Sequence, residues 1–177
     1  MKRPLLFAAS IVLLFHPADG RQPSGGYRGF FEWSSSLRTE QFYTGFSTSH
    51  GYQLNPMFFV GAGLGMERCT DHANWLAPVF VHGRIDLGLG KFTPFGDIRL
   101  GANLADGAGV YFSPSVGYRF NFGHKPGLNI GAGLTLAGYR VEYYEGSWTG
   151  PDSYEIRYVE TRHKLRPYFS FRCGIDF

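Results

Sequence analysis

The chain has 177 residues, enough for one domain. Its 17 Lys and Arg against 14 Asp and Glu leave a net charge of +3, too close to neutral for a nucleic-acid partner. Aromatics at 18% and 25 glycines exceed ordinary usage and favour strands over helices.

The first twenty residues read as a leader. "MKRP" is a short basic start, "LLFAASIVLLF" an apolar run, and "HPADG" a breaker-rich end with small Ala18 and Gly20 before a cut after Gly20. A spanning helix needs about 20 apolar residues, and this run is shorter. No Cys follows it, so the usual lipoprotein attachment site is missing. Loss of Lys2, Arg3 and Asp19 takes the charge from +3 to +3 − 2 + 1 = +2. The expected domain is 21–177, with no stretch suited to a spanning helix.

Eight segments of alternating or β-rich character follow, separated by turn signals: Tyr27–Leu37, Gln41–Tyr52, Met57–Cys69, Ala77–Leu89, Phe92–Asn103, Gly109–Phe122, Leu128–Tyr144 and Tyr154–Phe177. The third sets Phe58, Val60, Ala62, Leu64 and Met66 against Gly61, Gly63 and Gly65. The sixth sets Val110, Phe112, Val116, Tyr118, Phe120 and Phe122 against Tyr111, Ser113, Ser115, Gly117, Arg119 and Asn121. The seventh sets Leu128, Ile130, Ala132, Leu134 and Leu136 against Asn129, Gly131, Gly133 and Thr135. The last alternates to the final residue of "PYFSFRCGIDF", with Phe169, Phe171, Cys173, Ile175 and Phe177 on one face.

Connections alternate in character. "LNP", "GLGK" and "GHKPG" are short; "SSLRTE", "CTDHANW", "LADGAG" and "EGSWTGPDSYE" are longer or more polar. An even strand number with short turns at one end describes an up-and-down barrel, with both termini at the short-turn end. Period alone does not say which face meets solvent. The polar face is Gly- and Ser-rich with scattered Arg and Asp, whereas a water-facing surface is rich in Lys and Glu. After the leader only Lys91, Lys125 and Lys164 remain as lysines. Small residues suit the interior of an eight-strand barrel, and large aromatics suit a lipid face. The predicted fold is all-β, an eight-stranded antiparallel transmembrane β-barrel.

With its leader, eight strands, "HGYQLNPMFFVGAGLG", "YFSPSVGYRF" and terminal "FRCGIDF", the chain resembles the small outer-membrane β-barrels of Gram-negative bacteria, the OmpA/OmpX-like group with a porin-like barrel domain. The resemblance spans residues 27–177. It implies an outer-membrane location with periplasmic termini, and lipid and the barrel assembly machinery as partners. It also implies recognition of Phe177 as an assembly signal. The group includes adhesion, structural, transport and enzymatic members, so the resemblance names no activity.

Several motifs carry rival readings. Gly61, Gly63 and Gly65 lack the following helix of a dinucleotide loop, and small inward residues account for them. Cys69, Asp71 and His72 in "CTDH" form no second ligand pair, so an exposed loop is expected rather than a metal site. Lipid A acyl-chain enzymes with eight strands need a His, a Ser and an acid near the outer rim. His163, Ser147, Asp152 and Glu160 supply these types, but no motif of those enzymes is present.

The inward charges say more. Arg28, Glu32, His82, Arg84, Asp86, Asp97, Arg99, Arg119, Arg172 and Asp176 place both signs in one lumen. Buried charges need partners, so the expectation is a plugged lumen; the alternative is a gated path for a small solute. A Gly90-Lys91 type II′ hairpin would set Arg84 opposite Asp97, as an attractive pair, and His82 opposite Arg99. Closure of the first strand on the last would set Glu32 opposite Arg172 and Arg28 opposite Asp176. Cys69 and Cys173, near opposite rims, should not be bonded to each other. The reading is a monomeric, cofactor-free surface protein, not an enzyme, whose outer loops meet an external partner.

Overall fold

The computed structural model describes residues 25–38, 41–70, 74–88, 90–105, 109–122, 126–150 and 153–177, with side chains described outside 139–163. The expected leader lies outside the described residues, as do Asp71, His72 and Asp152 and the side chains of Ser147, Glu160 and His163.

Among the described residues nine strands form one sheet: β1 (Gly26–Arg38), β2 (Gln41–Gln53), β3 (Phe58–Cys69), β4 (Trp75–Leu76), β5 (Pro78–Asp86), β6 (Phe92–Asn103), β7 (Gly109–Asn121), β8 (Gly127–Gly150) and β9 (Ser153–Asp176). Strand β1 pairs with both β2 and β9, and β2 pairs with β3, so the antiparallel sheet closes on itself. The nine segments make eight staves. Arg68 faces Trp75, Glu67 faces Leu76 and Leu64 faces Val79, so β4 and β5 continue one register along β3. The break falls at Ala77 and Pro78, where proline has no N–H to donate. Around it, the Ala77 N–H donates to Asn103 Oδ1 at 2.8 Å, and the Ala77 carbonyl accepts from the Leu104 N–H at 2.9 Å.

Turn chemistry follows the residues. Asn55 Oδ1 accepts from the Met57 and Phe58 N–H groups, each at 2.9 Å, closing the β2–β3 turn. The β5–β6 ladder runs in the anticipated register, with Arg84 facing Asp97 and His82 facing Arg99. Gly90 does not take the positive φ that a type II′ turn requires at that position. Its carbonyl instead accepts from Thr93 Oγ1 at 3.1 Å and Asn121 Nδ2 at 2.6 Å, tying the turn to β7.

The largest departure lies at the opposite end. "EGSWTGPDSYE" is mostly ladder rather than loop: Glu145 faces Arg157, Trp148 faces Tyr154 and Gly150 faces Ser153. Trp148 and Tyr154 keep strand character through the segment, and register shifts just before it, between Tyr143 and Tyr144, and within it, between Trp148 and Gly150, absorb its irregularity. The β7–β8 ladder stops at Tyr111 facing Ala137, and the β1–β9 ladder stops at Leu37 facing Phe169. Beyond those points β8 and β9 pair with each other and form a two-stranded ribbon.

The faces separate as the alternation requires. Phe122 is 72% exposed and Val116 69%, on the outside, while Arg84 is 2% exposed and Asp176 0%, on the inside. Small residues let the walls approach. A Cβ on Gly63 would meet the Thr48 carbonyl at 2.5 Å, and one on Gly133 would meet the Pro114 carbonyl at 2.1 Å.

Candidate functional site

The structure places all ten predicted charges on the inner face; Arg119 is half-buried and the other nine are buried. They occupy two layers stacked along the lumen.

The layer at the short-turn end joins β1, β5, β7, β8 and β9. Asp176 accepts from Arg28 Nε at 3.0 Å, Arg119 Nε at 2.9 Å and Asn129 Nδ2 at 2.9 Å. Asp86 accepts from Arg28 Nη1 at 2.5 Å and Arg84 Nε at 2.8 Å. Arg84 Nη2 donates to Asn129 Oδ1 at 2.6 Å. The Arg84 guanidinium also lies 3.5 Å from the centre of the Phe95 ring, whose π face favours a cation that has lost its water. Gly127 makes the layer possible, since a Cβ there would come within 2.5 Å of Asp176 Oδ1.

The middle layer is neutral. Glu32 pairs with Arg99 across the lumen, and Arg99 Nη1 donates to Ser47 Oγ at 3.1 Å. Asp97 accepts from Arg172 Nη1 at 3.2 Å and from Ser115 Oγ at 2.8 Å. Arg172 Nη2 also donates to Ser113 Oγ. His82 Nδ1 meets Ser49 Oγ at 2.8 Å, and its Nε2 stands 3.8 Å from Asp97 Oδ2. The rings of Phe30 and Phe59 lie edge-on to the imidazole. A hydroxyl, an imidazole and a carboxylate therefore come together, but Ser49, His82 and Asp97 are 1%, 0% and 3% exposed. A nucleophile must reach its substrate, and this one is sealed.

Towards the loop end, Glu67 accepts from Ser34 Oγ at 2.8 Å and Ser36 Oγ at 3.1 Å. Tyr43, Cys69, Leu76, Phe80, Tyr111, Ala137 and Tyr168 form a buried apolar cluster at this end. Glu67 is a functional-site residue that the inward reading of β3 could have found, since it shares the face of Gly61, Gly63 and Gly65. The serines and Asn129 needed the cross-lumen contacts to be seen.

Two expected pairings are corrected. Arg84 faces Asp97 in the ladder, yet Arg84 bonds Asp86 while Asp97 bonds Arg172. Arginine side chains lean along the lumen, so the residue directly opposite need not become the partner. Closure of β1 on β9 is as expected, but its register differs by two residues: Glu32 faces Gly174, Phe30 faces Asp176 and Ser34 faces Arg172. Gly174 is where Glu32 fits, since a Cβ there would lie 2.5 Å from Glu32 Cγ. Arg28 still reaches Asp176 diagonally, and Glu32 reaches Arg99 instead of Arg172.

Phe177 exchanges backbone hydrogen bonds with Gly29 at 2.8 and 3.0 Å. Its ring covers Gly29, where a Cβ would lie 2.6 Å from it, and stands edge-on to His50. Cys69 and Cys173 are both free thiols. Cys69 belongs to the apolar cluster, and Cys173 faces Trp33 in the β1–β9 ladder.

No family model matches the sequence, and no curated protein matches it. Among solved structures, the solution NMR structure of the de novo designed TMB2.3 aligns over 89% of this chain and 97% of its own, with 15% identity and a TM-score of 0.45.

Proposed function

We propose that the protein is an outer-membrane β-barrel, a porin-like or structural surface protein with a plugged lumen, whose loop end contacts an external partner. One observation carries this reading: the apolar residues face outward around the barrel and the charges are inside. In water that arrangement would leave a large unburied apolar surface. In lipid it is the favourable one, because the closed ladder satisfies the backbone internally. The strands are long enough, since 9–11 tilted residues cross a bilayer and β3 alone has 12.

The plug follows from the two charge layers and the apolar cluster above them. The β8–β9 ribbon supports outward contact, as it extends past the barrel at the loop end. In this reading the termini are periplasmic, the barrel is monomeric, and outer-membrane lipid and the assembly machinery are its other partners. The reading is non-enzymatic, since the Ser49–His82–Asp97 grouping has no access for a substrate.

The test is gel mobility in detergent with and without boiling, followed by planar-bilayer recording. The folded barrel should migrate differently from the boiled chain and give no steady conductance. A protein that stays monomeric in buffer without detergent would end the membrane reading. A stable open conductance would end the plug.

A further inference from the structure

Two strand edges are left open at the loop end. Strand β8 has β7 beside it only as far as Ala137, and β9 has β1 beside it only from Phe169 onward. Further out, among the described residues, each pairs with the other alone. An open edge offers its backbone N–H and C=O groups to another strand.

The β9 edge carries "EIRYVETR", Glu155 to Arg162, whose charges alternate in sign. Laid antiparallel on a second copy of itself, this stretch is its own complement. With a two-fold axis between Tyr158 and Val159, Glu155 faces Arg162, Ile156 faces Thr161 and Arg157 faces Glu160. The symmetry repeats each match, as in any isologous interface. On the β8 edge, Arg140, Glu142 and Glu145 have no antiparallel register that pairs them all.

A regular strand would forbid this match. Residues three or seven apart fall on opposite faces of a regular strand, whereas opposed residues across a ladder share a face. The register shift in the ribbon removes the conflict. Glu145 faces Arg157 and Tyr143 faces Glu160, so Val159 is the extra residue of a bulge. Ser147 faces Glu155 and Val141 faces Arg162. Positions 141, 143, 145 and 147 of β8 lie on one face, so Glu155, Arg157, Glu160 and Arg162 lie on that same face.

The direction of pairing fixes where the second copy sits. Two β9 edges in one membrane run parallel and at one depth, which sets each charge beside its own kind, an unfavourable arrangement. Antiparallel edges belong to barrels that point at each other. We infer that the β9 edge pairs antiparallel with the same edge of a second copy in a facing membrane, so that the external partner is this protein itself. The inference rests on the outer-membrane reading given above, and each barrel stays monomeric in its own membrane. The second copy's Ser153 then faces Lys164, so the shared ladder ends five residues short of Phe169, where β1 takes up the edge. From the axis to Phe169 is about ten residues at about 3.3 Å each, which holds the two rims roughly 65 Å apart. One such contact is small, and many copies on two surfaces add avidity.

The test uses phosphatidylcholine vesicles formed around the folded protein, with loop ends outside confirmed by protease cleavage of the ribbon. Light scattering follows clustering, and two dye-marked populations show which variants tether to which. Native vesicles should cluster more as protein density rises. Glu155→Arg with Glu160→Arg puts four like charges on the edge and leaves the Glu145–Arg157 ladder pair as it is. Those vesicles should cluster roughly tenfold less, since avidity multiplies the loss at each contact. Adding Arg157→Glu and Arg162→Glu returns the net charge to its native value and inverts the pattern. Vesicles of that fourfold variant should cluster with their own kind and not with native ones. The heat-dependent gel shift reports the barrel separately. Native vesicles that keep the gel shift and the outward ribbon but do not cluster would overturn the inference and leave the barrel reading standing. Loss of the gel shift in the native protein would end both. Native-level clustering of the twofold variant would overturn the inference, as would a fourfold variant that joins native vesicles as readily as its own kind.

Discussion

At the scale of single residues, the choice of ion-pair partner depends on reach more than on ladder position. Glu32 and Arg99 lie on strands that are not neighbours, yet they form the pair that bridges the middle layer. Arg84 and Asp97 are direct neighbours across β5 and β6 and bond elsewhere. A double-mutant cycle separates the two situations. Glu32→Gln and Arg99→Gln should each cost about 3–5 kcal/mol, because each strands a buried charge. Their coupling should be about 1 kcal/mol or more, whereas the cycle for Arg84→Gln and Asp97→Asn should give less than about 0.5 kcal/mol. Denaturant unfolding in detergent measures both. Equal coupling in the two cycles would mean that ladder opposition governs pairing after all.

The same contrast shows which part of the site was legible. Period-2 alternation assigns a face, and a face is all that placing Arg28, Asp97 or Asp176 in the lumen requires. Pairing needs the lumen's width and the lean of each side chain, which alternation does not encode. The β1–β9 register departs from the expected one for a related reason. Setting Glu32 opposite Arg172 and Arg28 opposite Asp176 matches charges across one ladder, whereas Glu32 finds Arg99 across the lumen. The signal that could have corrected it was steric: Gly174 is the small residue on β9 that can face Glu32.

At the scale of elements, the strands that the sequence marks clearly are those whose two faces meet different surroundings. Strands β3, β6 and β7 have one face in the lumen and one outside, and their alternation is plain. The ribbon has no lumen beneath it, so its residues are not sorted into small and large faces, and "EGSWTGPDSYE" read as a loop. A ribbon with no third strand should also be weakly held, since isolated two-stranded hairpins are marginal in water. Amide hydrogen exchange in detergent should therefore divide β8 and β9 along their length. Amides in 141–148 and 154–160 should exchange much faster than those in 129–133 and 169–175, which have neighbours on both sides. Replacing 141–161 by a short turn should leave the heat-dependent gel shift intact. Uniform protection along both strands would mean that the ribbon is held by contacts other than its own ladder.

At the scale of the whole molecule, the governing feature is inversion: charge within, apolar surface without. Tryptophan placement gives this a depth scale. Trp33 lies midway along β1, faces outward, and stands between Phe46 and Cys173 in the ladders. Its indole Nε1 donates to Thr44 Oγ1 at 2.9 Å, and that hydroxyl contacts the Ser34 carbonyl at 3.3 Å. The ring therefore brings no unsatisfied polar group to a hydrocarbon medium. Trp75 lies nearer the loop end, against the exposed Arg68 guanidinium 5.5 Å from its ring centre, the amphipathic setting of a membrane border. Trp148 faces Tyr154 in the ribbon ladder, beyond the barrel. Three single-tryptophan variants, with the other two changed to Phe, can be reconstituted in vesicles with lipids brominated at defined depths. Trp33 should be quenched most by bromine deep in the acyl chain, and Trp75 by bromine near the headgroups. Trp148 should be quenched by neither and should respond to iodide in solution. If iodide quenches Trp33 as readily as Trp148 and bromolipids leave it unchanged, the apolar exterior meets something other than lipid.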